Sequence, residues 1–156
     1  MRSLIAFLVI AFCLGWVSNI LINEFLPAAL EYPLTRSAQE VSSPSDFVKE
    51  SSINVYPDYV KINLENSYLA GYTDTNSMDP TLDENSNGIE IPYTNQELGE
   101  GNIISYSLGN KLLVHRIVGA GSDPDGRYFL VRGDNSNMTH MVREPQVNGI
   151  LAGIIY

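Results

Sequence analysis

The sequence predicts a mainly β domain behind one apolar N-terminal helix, and three observations carry that expectation. Residues 4–22 contain no charged side chain. From residue 53 onward, short runs of β-branched and aromatic residues alternate with turn residues, which is the pattern of strands and tight connections. The third is the single cysteine, Cys13, inside the apolar segment; with no second thiol in the chain, stability must come from a packed core and not from disulfides or a thiolate metal cluster. The expected organisation is an N-terminal transmembrane anchor over 1–25, a juxtamembrane linker over 26–52 and a β-rich domain over 53–156.

Residues 4–22 read LIAFLVIAFCLGWVSNILI, and at 1.5 Å per residue a helix of that length spans about 28 Å, close to the hydrocarbon thickness of a bilayer. A cleaved secretory signal has a shorter apolar part and ends at small residues. Here the nearest small-residue site follows Glu24, so a retained anchor is expected. Arg2 precedes the span and Glu24 follows it, which puts the N-terminus in the cytoplasm and the rest of the chain on the extracytoplasmic side. Residues 33–52 are rich in Ser and Pro without a sustained apolar period, as in a linker with room for one short helix.

The strand runs are INVY, YVKINL, SYLAGY, IISYS, KLLVHRIVGA, RYFLVRG and VNGILAGIIY. In YVKINL, Val60, Ile62 and Leu64 alternate with Lys61 and Asn63, the period of a half-buried strand. Residues 119–126 (GAGSDPDG) read as a loop, and residues 83–101 as a long polar connection with few apolar anchors. The net charge of −9 excludes nucleic acid as an expected partner, because phosphate backbones are bound by clustered Lys and Arg. Two histidines without helical His-x-x-x-His spacing form no recognisable metal set, and no cofactor is expected.

Three segments hold reactive side chains in settings that explain their exposure: TNSMDPTL at 75–82, LLVHRIV at 112–118 and RGDN at 132–135. Ser77 precedes a proline-stiffened turn, where a serine serves either as a nucleophile or as a turn residue bonding its own backbone. Strand alternation puts Lys111, Leu113, His115 and Ile117 on one face, so His115 reads either as a core-edge histidine or as a neutral-pH base. Asp134 could cap its own turn, or orient a histidine as the carboxylate of a Ser-His-Asp triad does.

Taken in order, Ser-Met-Asp-Pro-Thr-Leu, His-Arg-Ile-Val and Gly-Asp-Asn resemble the type I signal peptidase family, and within it the archaeal and endoplasmic-reticulum branch that uses histidine where bacterial enzymes use lysine. The resemblance covers the anchor and most of residues 53–156. It implies a signal-peptidase-like β-barrel or coiled β-sheet, with Ser77 as nucleophile, His115 as base and Asp134 orienting His115. It also implies an oxyanion hole from the Ser77 N–H and the Thr75 hydroxyl. The implied activity is removal of leader peptides from exported preproteins after small residues, with the bilayer as a partner and association with the secretion translocon left open. Lys111 lies four residues from His115, roughly 13 Å along a strand, too far to replace it as the base.

Three departures from the family pattern bear on activity. The chain reads Gly101-Asn102-Ile103-Ile104 where Gly-Asp-Ile-Val is usual, the connection before it is lengthened, and His140 stands where a second aspartate usually follows Gly-Asp-Asn. The last leaves an alternative expectation, a catalytically inactive tethered β-domain acting as an accessory or binding module. A self-cleaving regulator, suggested by Ala70-Gly71, is disfavoured by the apolar N-terminus.

Overall fold

The computed structural model describes residues 2–25 and 41–156, and the chain divides into two compact units, Met1–Glu40 and Val41–Tyr156. In the first, α1 (Arg2–Phe25) is a 24-residue helix whose apolar side chains, Phe7, Phe12 and Trp16 among them, are exposed. Among the described residues no helix is long and apolar enough to cross a membrane. The span expected at 4–22 is thus not supported by them; it takes in positions at both ends whose side chains lie outside the described set. Residues 26–40 of the expected linker lie outside it too.

The second unit is antiparallel β throughout. A hairpin of β1 (Ile53–Val55) and β2 (Val60–Ile62) stands apart from a seven-stranded sheet. The sheet contains β3 (Tyr68–Gly71), β4 (Asn87–Pro92), β5 (Ile103–Leu108), β6 (Lys111–Asp123), β7 (Gly126–Arg132), β8 (Thr139–Arg143) and β9 (Val147–Ile155), in the spatial order β3-β4-β9-β5-β6-β7-β8. Its edges, β3 and β8, do not pair, so the expected barrel is not closed and the sheet is open. The reason is local: β3 has four residues and then leaves the sheet through the turn carrying Ser77, which leaves no ladder to meet β8. That turn reaches toward the other edge, where the Asn135 N–H donates to the Ser77 carbonyl at 3.0 Å.

The near-continuous apolar runs of β5 and β9 follow from burial on both faces, since strands covered on two sides lose the polar half of the alternation. One cluster gathers Ile104, Tyr106, Ile117, Phe129, Val131 and Ile150. The other gathers Met78, Leu82, Ile103 and Leu151. Adjacent pairs such as Ile103 and Ile104, or Ile150 and Leu151, feed different clusters, as a period of two requires.

Four expectations are corrected here. The connection over 83–101 contains β4, an interior strand paired with both β3 and β9; its apolar residues Ile89 and Ile91 flank a buried acid, Glu90, which made the segment look polar. The loop over 119–126 shrinks to Pro124 and Asp125, because β6 runs through Asp123 and pairs with β7 up to Gly126. The alternation in YVKINL marks an apolar face, but not a covered one: Val60 and Ile62 lie opposite Val55 and Ile53, and all four side chains are exposed. Residues 41–52, read as part of the linker, belong to the β unit, where Phe47 packs against the larger cluster.

Candidate active site

The turn after β3 is pinned from below and from the side. Met78 and Leu82 are each 3 % exposed, sunk in the smaller apolar cluster, so the intervening residues are held over the sheet. The N–H groups of Thr81 and Leu82 both donate to the Met78 carbonyl, closing a tight turn. Asn76 has a left-handed φ of 55°, a conformation asparagine tolerates better than most residues. The Asn135 side chain donates to the Asn76 carbonyl at 3.0 Å. Gly133 makes this approach possible, because a Cβ there would collide with the Ser77 carbonyl oxygen. Gly133→Ala is therefore expected to cost about 1–3 kcal/mol through forced backbone displacement, read as a shift of the denaturant midpoint at constant slope.

Thr75, Ser77 and His115 line one cleft of about 200 Å³ together with Met78, Leu82 and Leu112. Ser77 Oγ lies 3.1 Å from Thr75 Oγ1, and among the described residues no hydrogen bond joins it to His115. The two expected catalytic groups therefore share a cavity without being bonded to one another. Lys111 is exposed at the start of β6 and does not line the cleft.

His115 sits on β6 at 9 % exposure. Its Nδ1 lies 2.9 Å from the hydroxyl of Tyr106 on β5, a partner the sequence reading did not name. Burial pushes the Tyr106 hydroxyl up to about 12, so it remains protonated at neutral pH. Unlike a carboxylate, it can donate or accept. Accepting from Nδ1–H leaves Nε2 with a lone pair, and donating to Nδ1 puts the proton on Nε2. Tyr106 thus positions the ring without dictating its tautomer.

His140 on β8 stacks on His115, with ring centroids 5.9 Å apart and planes 5° from parallel. The register explains the meeting: β7 ends at Arg132, paired with Arg116, so His115 lies beyond the strand that would otherwise separate β6 from β8. Burial first, and then the neighbouring His140, hold the His115 pKa below its ordinary value, opposed by the negative charge of Asp134.

Asp134 is not hydrogen-bonded to His115. Its carboxylate receives a two-pronged bond from Arg116, Nε to Oδ1 and Nη2 to Oδ2, both 2.7 Å, and a 2.6 Å bond from the Thr81 hydroxyl. Burial alone would raise this carboxyl, but the bonds from Arg116 and Thr81, with the charges of Arg116 and Arg132, outweigh it and hold the pKa below the usual carboxylate value. The expected orienting residue thus ties the nucleophile turn to β6 through Arg116, which also donates to the Gly101 carbonyl. Strand alternation puts Arg116 on the face opposite His115, but the acid it meets there is set by the turn after β7.

A comparison of the chain with protein-family models, curated proteins and solved structures finds no match among them.

Proposed function

We propose that this chain is a membrane-bound serine endopeptidase that removes signal peptides from exported preproteins, with Ser77 as nucleophile and His115 as base. The observation that carries the reading is the cleft shared by Thr75, Ser77 and His115, which come from a turn and a strand far apart in the sequence. Ser77 Oγ would leave Thr75, attack the scissile carbonyl and pass its proton to His115 Nε2; that proton then goes to the leaving amine. Water, activated by the same imidazole, hydrolyses the acyl-enzyme. Charge on the oxyanion would be met by the Ser77 N–H and the Thr75 hydroxyl, donors worth about 3–4 kcal/mol each in such sites.

The apolar N-terminal segment would hold the domain at the extracytoplasmic face of the cell membrane. The uncovered apolar face of the β1–β2 hairpin, with Tyr56 and Tyr59 stacked beside it, supports the bilayer as a partner, since tyrosines suit the boundary between apolar and wet surroundings. Preproteins are the other partner, and association with the translocon follows from the resemblance alone.

A neutral imidazole is needed for the first proton transfer. Because the His115 pKa lies below its ordinary value, the acid limb of kcat/KM is expected below about pH 6.5, and activity should persist into mildly acidic solution. His140→Asp replaces a group that depresses the His115 pKa with one that raises it, so the limb should move to higher pH. A pH profile of peptide cleavage by both proteins checks the position and the direction.

The second reading, an inactive tethered β-domain, is favoured by one observation: Asp134 is engaged by Arg116 and Thr81 while His140 covers His115. A serine-reactive phosphonate probe separates the two. Labelling at Ser77, together with cleavage of a preprotein, supports the peptidase; an unlabelled Ser77 and an uncut preprotein support the inactive module.

A further inference from the structure

Glu90 on β4 is 2 % exposed and belongs to the wall of the same cleft as Ser77 and His115. Its Oε2 accepts hydrogen bonds from the hydroxyls of Tyr68 and Ser105, both at 2.7 Å, and its Oε1 accepts a longer one, 3.3 Å, from Tyr72. The arrangement is built and not incidental. Tyr68 lies directly opposite Glu90 in the β3–β4 ladder, Ser105 comes from β5, and the site of convergence is open only because residue 149 is glycine. A Cβ at Gly149 would collide with the Tyr68 hydroxyl and stand 2.8 Å from Glu90 Oε2 and 2.9 Å from Ser105 Oγ.

Three neutral hydroxyls satisfy the hydrogen-bonding needs of this carboxylate but bring no opposite charge. Among the described residues no Lys or Arg lies within ion-pair distance of it. A charge sequestered in this way retains a strong field, because little water remains to screen it. Met78, Leu82, Leu112 and Val114 add an apolar stretch to the same wall. At about 200 Å³ the cleft is also larger than an alanine or serine side chain requires. A small-residue pocket does not explain the buried acid in its wall.

The geometry points to Glu90 as a specificity-determining residue that receives a basic side chain, lysine or arginine, of the peptide bound across Ser77. This rests on the peptidase reading for the placement of the peptide, and it departs from the small-residue preference expected of that reading. The aliphatic stem of such a side chain would lie along Leu112, Val114 and Met78, with its ammonium or guanidinium group at Glu90 Oε1, the oxygen with the weaker existing bond.

The test uses the full chain in lipid vesicles and a peptide series in which lysine is compared with norleucine, its uncharged near-isostere, at each of the four positions before the cut. At one position lysine is expected to raise kcat/KM about tenfold over norleucine, the size of a charge-assisted bond in a partly dry site. In Glu90→Gln, checked for folding by its thermal transition, that ratio should fall to about one. Binding of the same peptides to Ser77→Ala protein, followed by fluorescence anisotropy, reads the cleft without any cleavage, so loss of the peptidase reading is distinguished from loss of this one. Equal treatment of lysine and norleucine at every position, in cleavage or in binding where nothing is cut, would overturn the proposal. So would a lysine advantage that survives in Glu90→Gln.

Discussion

Replacing Ser77 with alanine is expected to lower preprotein cleavage by about 10⁴–10⁶-fold, with His115→Ala costing nearly as much and the double variant costing little more than either. The non-additivity is the informative part. A nucleophile and its base act on one proton, so removing either removes the same step, and the residual rate comes from binding and the oxyanion donors. Ser77 Oγ is bonded to Thr75 and not to His115, so an independent role for each residue would give penalties that add. Initial rates for the four proteins on one peptide decide between the two patterns. Melting temperatures serve as the control, since Ser77 lies in an exposed hydrogen bond and its alanine variant should melt close to the parent. A Ser77→Ala protein that still cuts at the parental rate would end the serine-peptidase account.

The sequence made the type of most elements legible and the pairing of few. The β-branched and aromatic content of KLLVHRIV and RYFLVRG, bounded by turn residues, identifies β6 and β7, and GDN identifies the turn that follows β7. The β4 strand was hidden because its central residue is acidic: a buried carboxylate held by tyrosine and serine hydroxyls from distant segments cannot be told from a solvated one by composition. The alternation in β2 predicts a half-buried strand, yet Val60 and Ile62 are exposed, because burial depends on what packs there, which no local pattern contains. At the candidate site, short motifs whose residues are neighbours in sequence pick out Ser77, Thr75 and His115, and the structure brings all three to one cleft. Tyr106 and Arg116 were missed because their roles come from register. Tyr106 reaches His115 from the adjacent strand, and Arg116 meets Asp134 only because the loop after β7 folds back over β6.

Asp134→Asn separates the two roles open to that carboxylate, and the clamp predicts a loss of stability rather than a loss of the base. Arg116 and Asp134 are each 17 % exposed at the side chain, between the surface pairs that contribute little and the buried pairs whose disruption is severe. Neutralising the acid should therefore cost about 2 kcal/mol. The cost has a defined pH window. The folded pKa of Asp134 is held below its unfolded value, so its contribution is fully present above the unfolded pKa of about 3.9 and is lost as pH falls through the folded one. Parent and variant should thus differ most near neutrality and converge below about pH 4 in denaturant titrations. The acid limb of cleavage gives the contrasting readout: a residue orienting His115 by a direct bond would, on neutralisation, disturb the tautomer and collapse the rate by about 10⁴-fold, as loss of a triad carboxylate does. The structure gives that bond to Tyr106, so Asp134→Asn should retain most of its kcat under conditions where it is folded. Its limb should move slightly to lower pH, because the charge that raises the His115 pKa is gone. A rate collapse in a variant that remains folded would return Asp134 to the orienting role and make the Arg116 bond a resting-state contact that substrate binding must break.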